Sequence, residues 1–138
     1  MSDRGIRLKR LLLIALLVLS SGPAYAEWVS VGGYESQGGY TAYVDPDTIR
    51  RKGDLVKLWR LINFKTTQTV AGDSFLSVKE QTEFDCTEGR MRGLALAAFS
   101  GNSGTGDVVY SQSVEQKWEP VFPGSVGQDM WKVACGKK

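Results

Sequence analysis

Histidine is absent from this 138-residue sequence, and cysteine occurs only twice. Without imidazole there is no Ser-His-Asp or Cys-His nucleophilic relay and no His-rich zinc site. Catalysis is left with carboxylate, Lys or Tyr chemistry, and a metal would have to be held by oxygen ligands, as Ca²⁺ or Mg²⁺ prefer. No loop with that ligand pattern stands out, so no cofactor is expected. Long apolar runs are missing too. The longest, Leu11 to Leu19, is less than half of the roughly 20 residues that a transmembrane helix needs. A strong charge of one sign is also lacking, since 17 Lys and Arg face 15 Asp and Glu.

The short apolar run nevertheless has a clear setting. Arg4, Arg7, Lys9 and Arg10 precede it, Ser20-Ser21-Gly22-Pro23 breaks it, and Ala24-Tyr25-Ala26 supplies a small-x-small cleavage pattern. Residues 1–26 are therefore expected to form a secretory signal peptide, cleaved after Ala26, with an uncleaved signal anchor as the alternative. Those residues hold four of the basic and one of the acidic side chains, which leaves 13 basic and 14 acidic residues, a net −1, in residues 27–138. The basic balance that nucleic-acid binding requires belongs to the export signal, so no nucleic-acid partner is expected. The 112 residues that follow are of a size for one domain. No cysteine follows the apolar run, so the exported protein is expected without a lipid anchor, in the periplasm or at the cell surface.

Cys86 and Cys135 both lie in the exported part. An oxidising compartment favours their pairing as a single intramolecular disulfide. A redox-active pair usually has close spacing, such as Cys-x-x-Cys, which these two lack.

The patterning is mainly that of strands. Glu27 to Val31 and Tyr40 to Val44 read as strands around a loop rich in Gly, Ser and Gln. Asp45 to Ile49 reads as a turn, in which Asp47 can accept backbone N–H groups. Lys52-Gly53-Asp54 makes a second turn, and Leu55 to Phe64 is a strand centred on Trp59. In the next strand Leu76, Val78, Thr82, Phe84 and Cys86 alternate with Ser77, Lys79, Gln81, Glu83 and Asp85, the period of a half-buried antiparallel strand. Arg90 to Phe99 follows a tight reversal. Ser100 to Asp107 reads as a flexible loop, Val108 to Val114 as a strand, and Lys117 to Val121 as a short segment around Trp118. Ser125 with Gln128 fits a capping box, opening a helix of about ten residues with Val126, Met130 and Val133 on one face. The expectation is an α+β, mainly β fold: an antiparallel sheet of about six strands with a disulfide-tethered C-terminal helix.

Tyr43-Val44-Asp45 with Ile49, the strand Leu55 to Phe64 with Trp59, the strand ending in Cys86, the segment Gly104 to Tyr110 and a helix ending in Cys135, in that order, resemble the surface-adhesin protein E-like domain of proteobacterial envelopes. The resemblance spans nearly all of residues 27–138. It implies a small antiparallel sheet with a helix tethered by the disulfide, exposure on the cell envelope and, as for the best-known adhesin of the family, attachment to host matrix and plasma proteins. Two departures stand out. The family's best-known adhesin is a lipoprotein, whereas this chain lacks the lipidation cysteine, and the expected loop Thr66 to Ser74 carries no basic cluster.

Candidate sites follow from the remaining motifs. Asp45 and Asp47 lack the further ligands of an EF-hand loop, because Ile49 and Arg50 occupy those places; turn chemistry explains them. Gly101, Gly104 and Gly106 are not followed by the Lys-Ser/Thr of a phosphate loop. Of Trp28, Trp59, Trp118 and Trp131, two or more are expected in the core, and an exposed one would be a contact anchor. Arg50-Arg51-Lys52 is the densest basic run after the signal and the candidate protein-contact surface. The expected function is that of a non-enzymatic, protein-binding envelope module, adhesin-like, with a host matrix or envelope protein as partner. The alternatives are a structural accessory of a periplasmic complex and a hydrolase using two of Asp45, Asp47 and Asp54 as acid and base.

Overall fold

The structure, a computed structural model, describes residues 27–34 and 39–136. The signal peptide expected over residues 1–26 and much of the Gly, Ser and Gln loop lie outside the described residues.

Among the described residues seven strands form one antiparallel sheet: β1 (Val29–Tyr34), β2 (Tyr40–Lys52), β3 (Leu55–Val70), β4 (Asp73–Asp85), β5 (Arg90–Phe99), β6 (Val108–Gln112) and the two-residue β7 (Glu119–Pro120). Strands β1 to β6 follow one another as a meander, while β7 pairs with the start of β5. Among the described residues one α-helix, α1 (Val126–Cys135), follows the strands. The mainly β sheet with a tethered C-terminal helix is the architecture that the alternating pattern implies.

Pleating sends Ala42, Val44, Val56, Leu58 and Phe84 to one face, where Met130, Ala134 and Cys135 of α1 complete the buried cluster. The helix opens at Ser125, whose Oγ accepts the Gln128 N–H at 3.1 Å. Gln128 reaches back to the Gly124 N–H at 2.9 Å, one residue before the usual capping-box partner. The left-handed Gly136 ends the helix. Cys86 and Cys135 are joined, with a Cα–Cα distance of 5.6 Å. The buried helix face differs from the expected one: Val126, Met130 and Ala134 carry it, and Val133 is exposed. The tether at Cys135 and the bond from Trp131 Nε1 to the Asp85 carbonyl (3.2 Å) rotate the helix so that Trp131 and Cys135 face the sheet. Gly127 stands where a Cβ would come within 3.1 Å of the Met91 sulfur, so it permits the helix to lie close to β5.

Several boundaries depart from the sequence reading. Strand β2 continues through Asp45–Ile49 instead of turning there, by way of a bulge. Asp45 pairs with Trp59 and Arg50 with Lys57, which sets four residues of β2 opposite one of β3. Within the bulge Asp45 Oδ1 accepts the Asp47 N–H at 3.1 Å, so Asp45 is the acceptor there, not Asp47. Thr48 Oγ1 then takes the Trp59 N–H at 2.9 Å, replacing a carbonyl that the bulge has moved away. The segment Thr66 to Ser74 is not a loop: β3 and β4 extend into it and meet at a two-residue turn, Ala71-Gly72. Ser100–Asp107 is folded down on the sheet by directed hydrogen bonds. Ser77 Oγ donates to the Gly101 carbonyl at 2.6 Å and accepts the Gly104 N–H at 2.9 Å, and Asn63 Oδ1 accepts the Ser103 N–H at 2.6 Å.

Candidate functional site

The second face of the sheet carries most of the charged rows. On it Leu61 is buried, and Lys79 Nζ lies 5.8 Å from the Trp28 ring centre and 5.3 Å from that of Phe99. Toward the β2–β3 turn the cross-strand rows become ionic: Arg50, Lys57, Glu83 and Arg92 stand in register, and beside them Lys52, Leu55, Asp85 and Arg90.

This arrangement builds a cleft of about 450 Å³ lined by Arg50, Arg51, Lys52, Leu55, Lys57 and Glu83. Two local features create it. The Asp45 bulge resets the register so that Arg50 faces Lys57, and the turn at Gly53, with φ +61°, folds Lys52 back against Leu55. The predicted contact residues Arg50, Arg51 and Lys52 are thus brought together, and all three are exposed. Lys57 joins them across the turn. It was within reach of sequence reasoning, since a two-residue connection that pairs residue 52 with residue 55 brings residue 57 beside residue 50.

The cleft is electrostatically uneven. Glu83 in its wall is already held by Arg92, with Nη2 at 2.6 Å from Oε1, and Asp85 by Arg90 at 3.0 Å. Arg92 also meets Glu115 at 3.0 Å, and both arginines lie over the Trp118 ring, at 4.6 Å for Arg90 and 4.1 Å for Arg92. Among the described residues, Arg50, Arg51, Lys52 and Lys57 form no ion pair. Arg50 Nη1 donates to the Asp47 and Ile49 carbonyls, both at 2.9 Å, and Arg51 Nη1 to the Gly53 carbonyl at 3.4 Å. These backbone bonds occupy one nitrogen of each guanidinium and leave the other donors of the fork uncommitted.

A second concavity, of about 430 Å³, lies at the start of α1 and is lined in part by Tyr40, Ile62, Phe64, Met91, Phe122 and Val126. Phe122 is 65% exposed. Tyr40, Phe64 and Phe75 continue it as an aromatic row, with ring centres 6.3 and 5.8 Å apart.

The other candidates do not converge. Asp45 is buried and engaged in its turn, whereas Asp47 and Asp54 are exposed at separate positions. Among the described residues no three His, Cys, Asp or Glu side chains stand close enough to hold a metal. Each tryptophan is half-buried, and of the four only Trp131 packs against the buried cluster, so neither a second core tryptophan nor a fully exposed anchor is present. No helix of the described residues is long and apolar enough to cross a membrane.

The sequence pattern of the family described as surface-adhesin protein E matches residues 28–136. The chain belongs to the surface-adhesin protein E family. Solved structures agree on the fold. A selenomethionine form of Haemophilus influenzae protein E superposes with a TM-score of 0.57 at 13% identity, covering 69% of this chain and 78% of that one. A second crystal form of that protein gives 0.55 at 12% identity, covering 69% and 80%. Protein E from non-typeable Haemophilus influenzae gives 0.54 at 11% identity, covering 83% and 78%. No curated protein matches the sequence. At these identities the likeness concerns the backbone fold alone.

Proposed function

We propose that this member of the surface-adhesin protein E family is an exported envelope protein that acts as a non-enzymatic, protein-binding module, with Arg50, Arg51 and Lys52 in its contact surface. The family match over residues 28–136 carries the adhesin-type reading. The exposed basic run supports the choice of surface, because with Lys57 it gathers four cations that form no ion pair around one cleft. Charge left unpaired at a protein surface raises the rate of encounter with a complementary partner and helps to fix its orientation. Export rests on the residues that precede Glu27, whose charged, apolar and small-residue regions follow the order of a secretory signal.

Protease treatment of intact cells tests the location. Surface display predicts digestion of the protein while a periplasmic marker survives. Protection equal to that of the marker would remove the surface-adhesin half of the proposal and leave a periplasmic binding role.

A further inference from the structure

We propose that the basic cleft between β2 and β3 receives a short, extended acidic segment of a partner protein, an inference that rests on the protein-binding role proposed above. Three observations point to that chemistry.

The first is spacing. Arg50 and Lys52 lie two residues apart on one strand, a separation of about 6.7 Å, and Lys57 faces Arg50 on the neighbouring strand, about 4.8 Å away between strand axes. Side chains on one face of an extended peptide repeat at about the same 6.7 Å, so alternate carboxylates can meet Arg50 and Lys52 in turn. The second is donor geometry. The backbone bonds of Arg50 and Arg51 hold each guanidinium and leave donors free, and the planar fork matches a carboxylate in two-point contact. The third is the mixed sign of the surroundings. Exposed Asp47 and Asp54 flank the cations in sequence, Glu83 stands in the wall, and Leu55 offers apolar surface between them. A dense polyanion such as a sulfated glycan, or the headgroup plane of an anionic bilayer, would bring negative charge against those carboxylates. A peptide can place its acidic side chains at the cations alone.

The test is fluorescence anisotropy with a labelled ten-residue peptide of alternating Glu and Thr, titrated with the full exported chain. A Lys/Thr peptide, a heparin oligosaccharide of equal charge and phosphatidylglycerol vesicles serve as comparators. The Glu/Thr peptide is expected to bind more tightly than each comparator and to weaken as salt rises. Arg50→Glu combined with Lys57→Glu should reduce its affinity about tenfold or more, Arg51→Gln with Lys52→Gln should reduce it less, and Lys117→Glu, outside the cleft, should leave it unchanged. Circular dichroism confirms that each variant is folded, and the milder pair keeps the test available if the charge reversal unfolds the chain. Binding that ignores both pairs of substitutions, tighter binding to heparin or to vesicles, or no binding of the Glu/Thr peptide by the wild-type protein would each overturn the acidic-segment assignment. The protein-binding role would stand or fall separately, on contacts detected in cells.

Discussion

Asp85 accepts three hydrogen bonds on one carboxylate: the Thr87 and Glu88 N–H groups reach Oδ1, both at 3.1 Å, and Arg90 Nε reaches Oδ2 at 3.0 Å. The Glu88 amide contributes most to holding this carboxyl below its ordinary value of 3.8; burial opposes the shift, and Arg90 and Thr87 add to it. A carboxyl depressed in the folded state contributes stability that is complete above its unfolded value and is lost as pH falls through the folded one. Urea unfolding of the wild type is therefore expected to show a decline in stability below 3.8. In Asp85→Asn this part of the decline should vanish. A second residue carries backbone strain. Ala71 has φ +50° and Gly72 φ +84°, so both central positions of the turn are left-handed, a conformation that favours Asn-Gly. Ala71→Asn should raise stability by about 0.5 to 1 kcal/mol and the melting temperature by a few degrees, read by calorimetry. Sequence inspection passes over this turn because alanine does not announce a positive φ and TTQTVAGDS is mostly polar.

Among the elements, α1 depends most on a covalent tie. Cys86 and Cys135 close a loop with a sequence separation of 49, worth about 4 kcal/mol on the chain-entropy view. Replacing both by alanine should lower unfolding stability by about that amount and speed amide exchange in α1 before β3 or β4. The Ser100–Asp107 segment makes the opposite case, since no covalent tie holds it and directed hydrogen bonds fix it on the sheet. Ser77→Ala removes the two bonds of a fully buried hydroxyl, at a cost of about 2 kcal/mol, and hydrogen exchange at Gly104 should accelerate. The elements differ in how far sequence discloses them. The alternation from Leu76 to Cys86 is local and two-periodic, and β4 forms there through Asp85, but Ser77, Glu83 and Asp85 of the polar row are buried as well, beneath the Ser100–Asp107 segment and the arginine pairs. The bulge in β2 is not local: Pro46 and two aspartates look like a turn, whereas the Thr48 hydroxyl accepts the Trp59 N–H across the sheet and pairing with β3 resumes at Arg50. The exposure of Val133 likewise depends on a disulfide that fixes the rotation of the helix, which helical spacing alone does not specify.

At the scale of the molecule, residues 27–138 carry a net charge of only −1, yet Arg50, Arg51, Lys52 and Lys57, which form no ion pair among the described residues, gather at the β2–β3 end of the sheet. Arg50, Arg51 and Lys52 are legible as a run. Their grouping with Lys57 and Leu55 into a cleft is not, because it depends on the register set by the Asp45 bulge and the Gly53 turn. The aromatic concavity beside α1 was invisible for the same reason, its residues coming from distant parts of the chain. Photo-crosslinking in intact cells tests the central claim, protein binding at the basic cleft. A photoreactive phenylalanine analogue is placed at the exposed position 54 beside the cleft or, as a control, at the exposed position 67 toward the opposite end of the sheet. A discrete protein adduct from position 54 that disappears on adding Arg50→Glu and Lys57→Glu, with none from position 67, is the predicted result. Adducts from position 67 alone, or an adduct from position 54 that survives the charge reversal, would contradict the claim.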